Sequence, residues 1–331
     1  MEKSDKIYIA GHRGMVGSAV WRALEAAGYS NLTGRSSSEL DLRDARATSA
    51  FIADEQPAAI VDAAARVGGI LANSRNQYEF LLENLRIQNN LIQAAHEAGV
   101  PKFVFLGSSC IYPKMAEQPI REDALLTGPL EPTNEGYALA KIAGVRLIQA
   151  LRDQYSRDYV SLMPTNLYGP NDNFDLETSH VLPALIRKFH EAKQNDNAPV
   201  TLWGSGSPRR EFLHVDDLAR AVVHALENPL PDHLYNVGTG SDITIKELAR
   251  IVQRIVGHTG EIRWDTSGRT VRPANCWMSP VCMPWAGKLR LGWKLGLRGL
   301  IGGINYNSVK PYGERYCHID VFGFPQCRRI I

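Results

Sequence analysis

The chain has 331 residues, 44% hydrophobic and 22% charged, with a formal net charge of +2. Such values suit a globular enzyme with a sizeable core and exclude a strongly basic nucleic-acid binder or a disordered chain. No apolar run approaches the ~20 residues of a membrane span. The charged start Met1–Lys6 lacks the apolar segment of a signal peptide, so the expected setting is cytoplasmic, away from membranes.

Read in chain order, Lys6–Ala10 is a short buried strand, and Met15–Ala27 carries Val16, Val20, Leu24 and Ala27 on one helical stripe. Between them lies Gly11-His12-Arg13-Gly14-Met15-Val16-Gly17. Glycines at this spacing, after a strand and before a helix, let backbone N–H groups approach a pyrophosphate at the helix N-terminus. Gly11, Arg13, Gly14, Met15, Val16 and Gly17 are therefore candidate dinucleotide contacts. The end of the second strand selects the cofactor. Thr33-Gly34-Arg35-Ser36-Ser37 offers no acid for a ribose 2′-hydroxyl, whereas Arg13 and Arg35 suit a 2′-phosphate. The reading is NADP(H), with a solvated surface charge as the alternative for Arg35. Asp41 and Leu42 are expected at the adenine edge.

Further strands are expected at Ala59–Ala63, Lys102–Leu106 and Tyr159–Met163, with helices at Arg43–Glu55, Glu79–Ala98 and Tyr137–Tyr155. This alternation predicts an α/β fold with a doubly wound parallel sheet. After Pro170 come a helix over His180–Glu191, a strand over Val200–Trp203 and a helix over Thr244–Val256, read as a smaller α/β substrate domain. The expected boundaries are 1–170, with a return near 213–240, then 171–267 and 268–331.

Tyr137-Ala138-Leu139-Ala140-Lys141 places a Tyr and a Lys on one helix face. A nearby ammonium favours the phenolate and lowers the Tyr pKa from about 10. Upstream, Gly107-Ser108-Ser109-Cys110-Ile111-Tyr112 ends a strand, where a Ser can hydrogen-bond a substrate carbonyl.

With the glycine loop, these features resemble the extended, sugar-nucleotide branch of the short-chain dehydrogenase/reductase superfamily, whose first domain is a Rossmann fold. The more specific resemblance is to the GDP-4-keto-6-deoxymannose epimerase/reductase family. It rests on the runs Ile9–Ser18, Ala64-Ala65-Arg66-Val67-Gly68-Gly69-Ile70, Phe105–Pro113, Leu130–Asn134, Met163–Pro170, Trp203–Gly206 and Arg210–Asp217. The resemblance implies epimerisation at C3 and C5 of GDP-4-keto-6-deoxy-D-mannose, then reduction at C4 by NADPH to GDP-L-fucose. A sibling enzyme on a GDP-4-keto-dideoxy sugar and a dinucleotide-binding protein of impaired turnover are the rivals. The implied proton carriers are Cys110 and His180, with Ser108, Tyr137 and Lys141 serving the reduction. Pro164, Asn166, Leu167, Lys141 and His180 are implied cofactor contacts, and Arg187, Trp203 and Arg210 substrate contacts. No metal is implied. A homodimer is, through the helices Glu79–Ala98 and Tyr137–Tyr155, with Phe80, Leu81, Leu85, Val145 and Leu147 as its apolar surface. Structural alternatives remain: a buried apolar role for Cys110, a helix start for His180, a role for Ser109 shared with Ser108, a solvated helix charge for Arg187, plain core for Trp203, and Arg209 in place of Arg210.

The resemblance stops at Ser267. Residues 268–331 carry ten Lys/Arg and two Asp/Glu, and four of the five cysteines: Cys276, Cys282, Cys317 and Cys327. The family's order of residues is lost there while the overall length is kept. The expectation is a slipped reading frame from about Gly268, giving a tail not selected to pack, with an unusual terminal module or a basic partner-binding tail as the alternatives.

Overall fold

The computed structural model describes residues 1–267 and 300–301. Strand β1 (Ile7–Ala10) is wholly buried and runs through the glycine loop into helix α1 (Met15–Ala26). Strand β2 (Leu32–Thr33) and helix α2 (Ala45–Glu55) follow. The Asp44 carboxylate caps α2, accepting the Arg46 and Ala47 N–H groups at 2.9 and 3.1 Å. Next come β3 (Ala59–Asp62), α3 (Ile70–Arg75), α4 (Gln77–Glu97) and β4 (Lys102–Leu106). A short 3-10 turn over Ser109–Ile111 precedes α5 (Glu135–Tyr155) and β5 (Asp158–Pro164). The remainder is β6 (Asn166–Tyr168), α6 (Val181–Gln194), β7 (Val200–Trp203), β8 (Arg209–His214), α7 (Val215–Glu227), β9 (Leu234–Val237), β10 (Asp242–Thr244), α8 (Ile245–Val256) and β11 (Ile262–Asp265).

Six parallel strands form one sheet in the order β2-β1-β3-β4-β5-β9. Their side chains alternate between two apolar layers. Ile7, Ile9, Val61, Val104 and Leu162 share a core with Val20, Leu24, Leu218 and Val222 of α1 and α7. Tyr8, Ile60, Phe103, Phe105 and Tyr159 share the other with Ile52, Leu91, Val145 and Ile148 of α2, α4 and α5. A sheet covered on both faces is the expected doubly wound arrangement. The chain reverses direction across the sheet between β1 and β3, which opens a crevice at the carboxyl ends of those strands.

Helix α7 and strand β9 bring residues 215–237 back to this sheet beside β5. A third core holds Leu182, Leu185, Ile186 and Phe189 of α6 against Leu248 and Val252 of α8, with Leu300 and Ile301 also buried in it. Helix α8 starts with a reciprocal cap between Thr244 and Glu247 and stops at Gly257, whose φ is +77°. Strands β6, β8, β9, β10 and β11 were not anticipated from sequence. Strands β6 and β10 have three residues each, and β8 takes its partners from positions well apart, parallel to β6 and antiparallel to β10. The frame-slip expectation concerns residues outside the described ones, apart from Leu300 and Ile301.

Candidate active site

The glycine loop is built by close backbone approach. Gly11 has φ +74°, and a Cβ there would lie 2.7 Å from the Ala63 carbonyl oxygen. A Cβ on Gly17 would run into the Gly11 carbonyl, so α1 packs directly on the loop only with glycine at that position. Helix α1 begins at Gly14 with no side-chain cap. Its N-terminus thus opens on the crevice as an anion site, flanked by Met15 and Val16 of the first turn.

Arg13 of the glycine loop is exposed, and Arg35, just after β2, is half-buried. Arg35 is tied down: it meets Glu55 at 2.9 Å, Thr33 Oγ1 at 3.2 Å and the Gly34 carbonyl at 3.1 Å. Both arginines act on His12, whose pKa is lowered by burial first and then by Arg13 and Arg35. Glu39, an acid just beyond the segment read from sequence, shares this neighbourhood. Its carboxylate accepts the Ser36 N–H at 2.7 Å and the Ser36 hydroxyl at 2.5 Å, and these bonds hold its pKa down. Asp41 is engaged by Arg43 at 2.9 Å, which lowers its pKa. The Leu42 carbonyl accepts from Asn90 at 2.8 Å.

The second group gathers where β4 meets α5. The Lys141 ammonium is buried, donates to the Leu106 carbonyl at 2.9 Å, and lies 4.6 Å from the Phe105 ring and 5.9 Å from the Tyr137 ring. Ser108 closes the strand, and its Oγ accepts the Cys110 N–H at 3.4 Å, which sets the turn carrying Ser109 and Cys110. Cys110 acts electrostatically on both Tyr137 and Lys141, so Ser108, Cys110, Tyr137 and Lys141 form one cluster. The Tyr137 phenol departs from the expectation. Burial, then Cys110 and Asp62, push its pKa above the ordinary value, whereas an ammonium neighbour had been expected to lower it. The low-polarity setting outweighs the cation.

His180 immediately precedes α6 and makes no capping bond with its side chain. The residue as a whole is exposed, yet protein atoms crowd around the imidazole, and that burial lowers its pKa. The segment before it is fixed to the loop after β3 by a Gly69 N–H bond to the Thr178 carbonyl at 2.8 Å. Pro164 ends β5 beside Val237 of β9. Asn166 anchors β6 to β8 through the Glu211 carbonyl at 2.9 Å, and Leu167 packs on the first core.

In α6, Arg187 pairs with Glu191 at 2.7 Å and donates to the Phe174 carbonyl at 3.1 Å. Trp203 is 70% exposed, which removes the plain-core alternative, and Lys188 sits 5.1 Å over its ring. Arg209 is committed to Asp242 at 2.8 Å, whereas Arg210 donates to the Arg209 carbonyl at 2.7 Å.

Sequence reading missed three buried acids here. Glu211 accepts the Gly240 N–H at 2.6 Å and holds the loop after β9. Burial pushes Asp172 up to about 7 and Asp62 up to about 6. Charged letters inside strand-like or Asn/Gly-rich runs carry no local sign that they turn inward. Among the described residues no three metal-ligating side chains gather, and no helix is long and apolar enough to cross a membrane.

The model of the NAD dependent epimerase/dehydratase family matches residues 7–238. The chain is 57% identical over 267 residues to the putative GDP-L-fucose synthase 2 of Arabidopsis thaliana, covering 81% of each chain. It is 52% identical over 272 residues to the GDP-L-fucose synthase of Escherichia coli, covering 79% of this chain and 84% of that one. Among solved structures, the GDP-mannoheptose C4 reductase of Campylobacter jejuni with NADP bound superposes with a TM-score of 0.82 at 34% identity, over 91% of this chain and 98% of that one.

The loop geometry yields a direct expectation. Gly17→Ala forces α1 away from the Gly11 carbonyl and should weaken dinucleotide binding about tenfold or more, read by cofactor fluorescence. Affinity within twofold of the parent would contradict the geometry.

Proposed function

Because the chain belongs to the NAD dependent epimerase/dehydratase family, we propose that it converts GDP-4-keto-6-deoxy-D-mannose to GDP-L-fucose. The cofactor is NADP(H): the glycine cradle fits a dinucleotide, and Arg13 and Arg35, both close enough to act on Glu39, are assigned to a 2′-phosphate. The observation that carries the reading is the single cluster of Ser108, Cys110, Tyr137 and Lys141 at the end of β4, on a chain 57% identical to a protein named for this reaction.

The C4 ketone acidifies the protons on C3 and C5. One group removes each proton and another returns one on the opposite face, which inverts the carbon without net change in protons. Cys110 and His180 take these roles. The lowered pKa of His180 keeps its imidazole neutral near pH 7, able to accept a proton. NADPH supplies the hydride that reduces C4. Ser108 hydrogen-bonds the C4 oxygen, and Tyr137 gives that oxygen its proton. A phenol held protonated by its surroundings suits a donor, so the raised pKa favours this direction of the reaction. Lys141 holds the nicotinamide ribose and offsets the charge left on Tyr137. Arg187, Trp203 and Arg210 are assigned to the GDP moiety, where Arg pairs with phosphate and Trp stacks on a planar ring. Pro164, Asn166 and Leu167 line the cofactor, and Asp41 and Leu42 its adenine.

The proposed domain division keeps residues 1–170 and about 213–240 for the cofactor and the rest to 267 for the GDP-sugar. A cytoplasmic setting goes with this reading. For the tail, a frame slip near Gly268 accounts for the change in composition, and the nucleotide sequence across codons 260–331 decides it. A homodimer through α4 and α5 is the proposed assembly. Phe80 and Val145, first assigned to that surface, are buried in the chain's own core, so the apolar face falls to Tyr78, Leu139, Leu147 and Tyr155, all exposed.

Tyr137→Phe should abolish NADPH oxidation while leaving deuterium exchange at C3 and C5, because the two stages use different proton carriers. Loss of both with cofactor binding intact would contradict that division. Sedimentation at micromolar concentration should give a dimer, and a monomer there refutes the assembly.

A further inference from the structure

The cluster at the end of the sheet holds one ionisable group to which the reaction above gives no task. Asp62 closes β3 and is fully buried. Its Oδ1 accepts the Ala64 N–H at 3.2 Å, and among the described residues its Oδ2 has no hydrogen-bond partner. A carboxylate so placed needs a compensating charge.

The strand register brings one into the neighbourhood, at longer range than a direct ion pair. Asp62 lies beside Phe105 of β4, and alternation along β3 puts it on the same sheet face as Ile60, under α4 and α5. The Phe105 ring is 4.6 Å from the Lys141 ammonium, which bonds the next carbonyl of β4. The titratable groups acting on Lys141 are Asp62 from β3 and Cys110 from the turn after β4, with Tyr137 one turn away on its own helix. Those coupled to Asp62 are Lys141, Tyr137, and Tyr8 of β1, which Arg35 also reaches.

We propose that Asp62 is a positioning residue for the reductive step, its carboxylate holding the buried Lys141 ammonium in the charged form that grips the nicotinamide ribose and supports proton release from Tyr137. The proposal rests on the roles given above to Tyr137 and Lys141. The signs are consistent. Burial drives Lys141 down, and Asp62 opposes that shift. Burial drives Asp62 up to about 6, and Lys141 opposes it in turn. Above about pH 6 the carboxylate is therefore anionic, and its charge then favours the protonated form of Lys141. Asp62 also pushes Tyr137 upward and so helps to keep the phenol protonated. Removing the carboxylate moves the alkaline limb of reduction down on both counts.

The test compares the parent with Asp62→Asn, which keeps shape and removes charge, and with Asp62→Ala as a second variant should the amide disturb folding. The alkaline limb of kcat for NADPH oxidation should fall by about 1–3 pH units. Deuterium exchange at C3 and C5, carried by Cys110 and His180, should keep the parent's pH profile. In the NADP-bound protein, 13C NMR of ε-labelled lysine should show the Lys141 titration displaced downward as well. A limb and a Lys141 midpoint left in place overturn the proposal, as does equal loss of exchange and reduction, which marks a merely structural acid. Tyr137→Phe separates the two levels. If it leaves NADPH oxidation intact, the underlying reading fails. If it abolishes oxidation while Asp62→Asn moves nothing, only the role of Asp62 fails.

Discussion

The Lys141 ammonium, buried beneath the end of β4 and bonded to the Leu106 carbonyl at 2.9 Å, fixes the geometry on which the site depends. A cation removed from water demands a partner at close range, so this contact pins α5 to the carboxyl end of β4. Tyr137 is placed by the same helix, one turn earlier. Ser108 and Cys110 are placed by the strand that supplies the carbonyl. The packing around it is correspondingly tight: a Cβ at Gly144 would come 3.0 Å from the Gln88 amide and press on the Phe105 ring, and Gln88 donates to the Ala140 carbonyl at 2.6 Å. The α4–α5 pair is thereby locked to the β4 end that carries the chemistry.

The second organising feature is the reversal of strand order between β1 and β3. It leaves a crevice at the carboxyl ends of the strands, into which the glycine loop, the turn after β3 and the start of α1 all open. Gly69 then ties that turn to the segment before His180, so the dinucleotide crevice and the second lobe meet through a backbone contact. The fold thus delivers Asp62 of β3, Cys110 after β4, and Tyr137 and Lys141 of α5 to one cluster, although they come from separate stretches of the chain.

Much of this was legible in the sequence because it depends on local physics. Short apolar runs gave β1, β3, β4, β5 and β7. Glycine spacing located the phosphate loop, and the Tyr–Lys spacing located one face of α5. What was not legible depended on long-range pairing. Strand β8 reads as a charged segment until its partners β6 and β10 are known, and Glu211 within it looks like a surface acid until the loop after β9 closes on it. Asp62 sits in an apolar strand where only the position of α5 shows what it faces. The expected lowering of the Tyr137 pKa failed for the same reason: spacing reveals the neighbouring cation but not the burial that outweighs it. Phe80 and Val145 were read as surplus apolar surface because a helix pattern shows how many faces are apolar, not which of them the sheet already covers.

The product formed tests the proposed activity most directly. GDP-4-keto-6-deoxy-D-mannose incubated with the chain and NADPH in deuterium oxide should yield GDP-L-fucose carrying deuterium at C3 and C5, with one NADPH oxidised per product. A reduced GDP-sugar of unchanged configuration at C3 and C5, with no deuterium there, would contradict it.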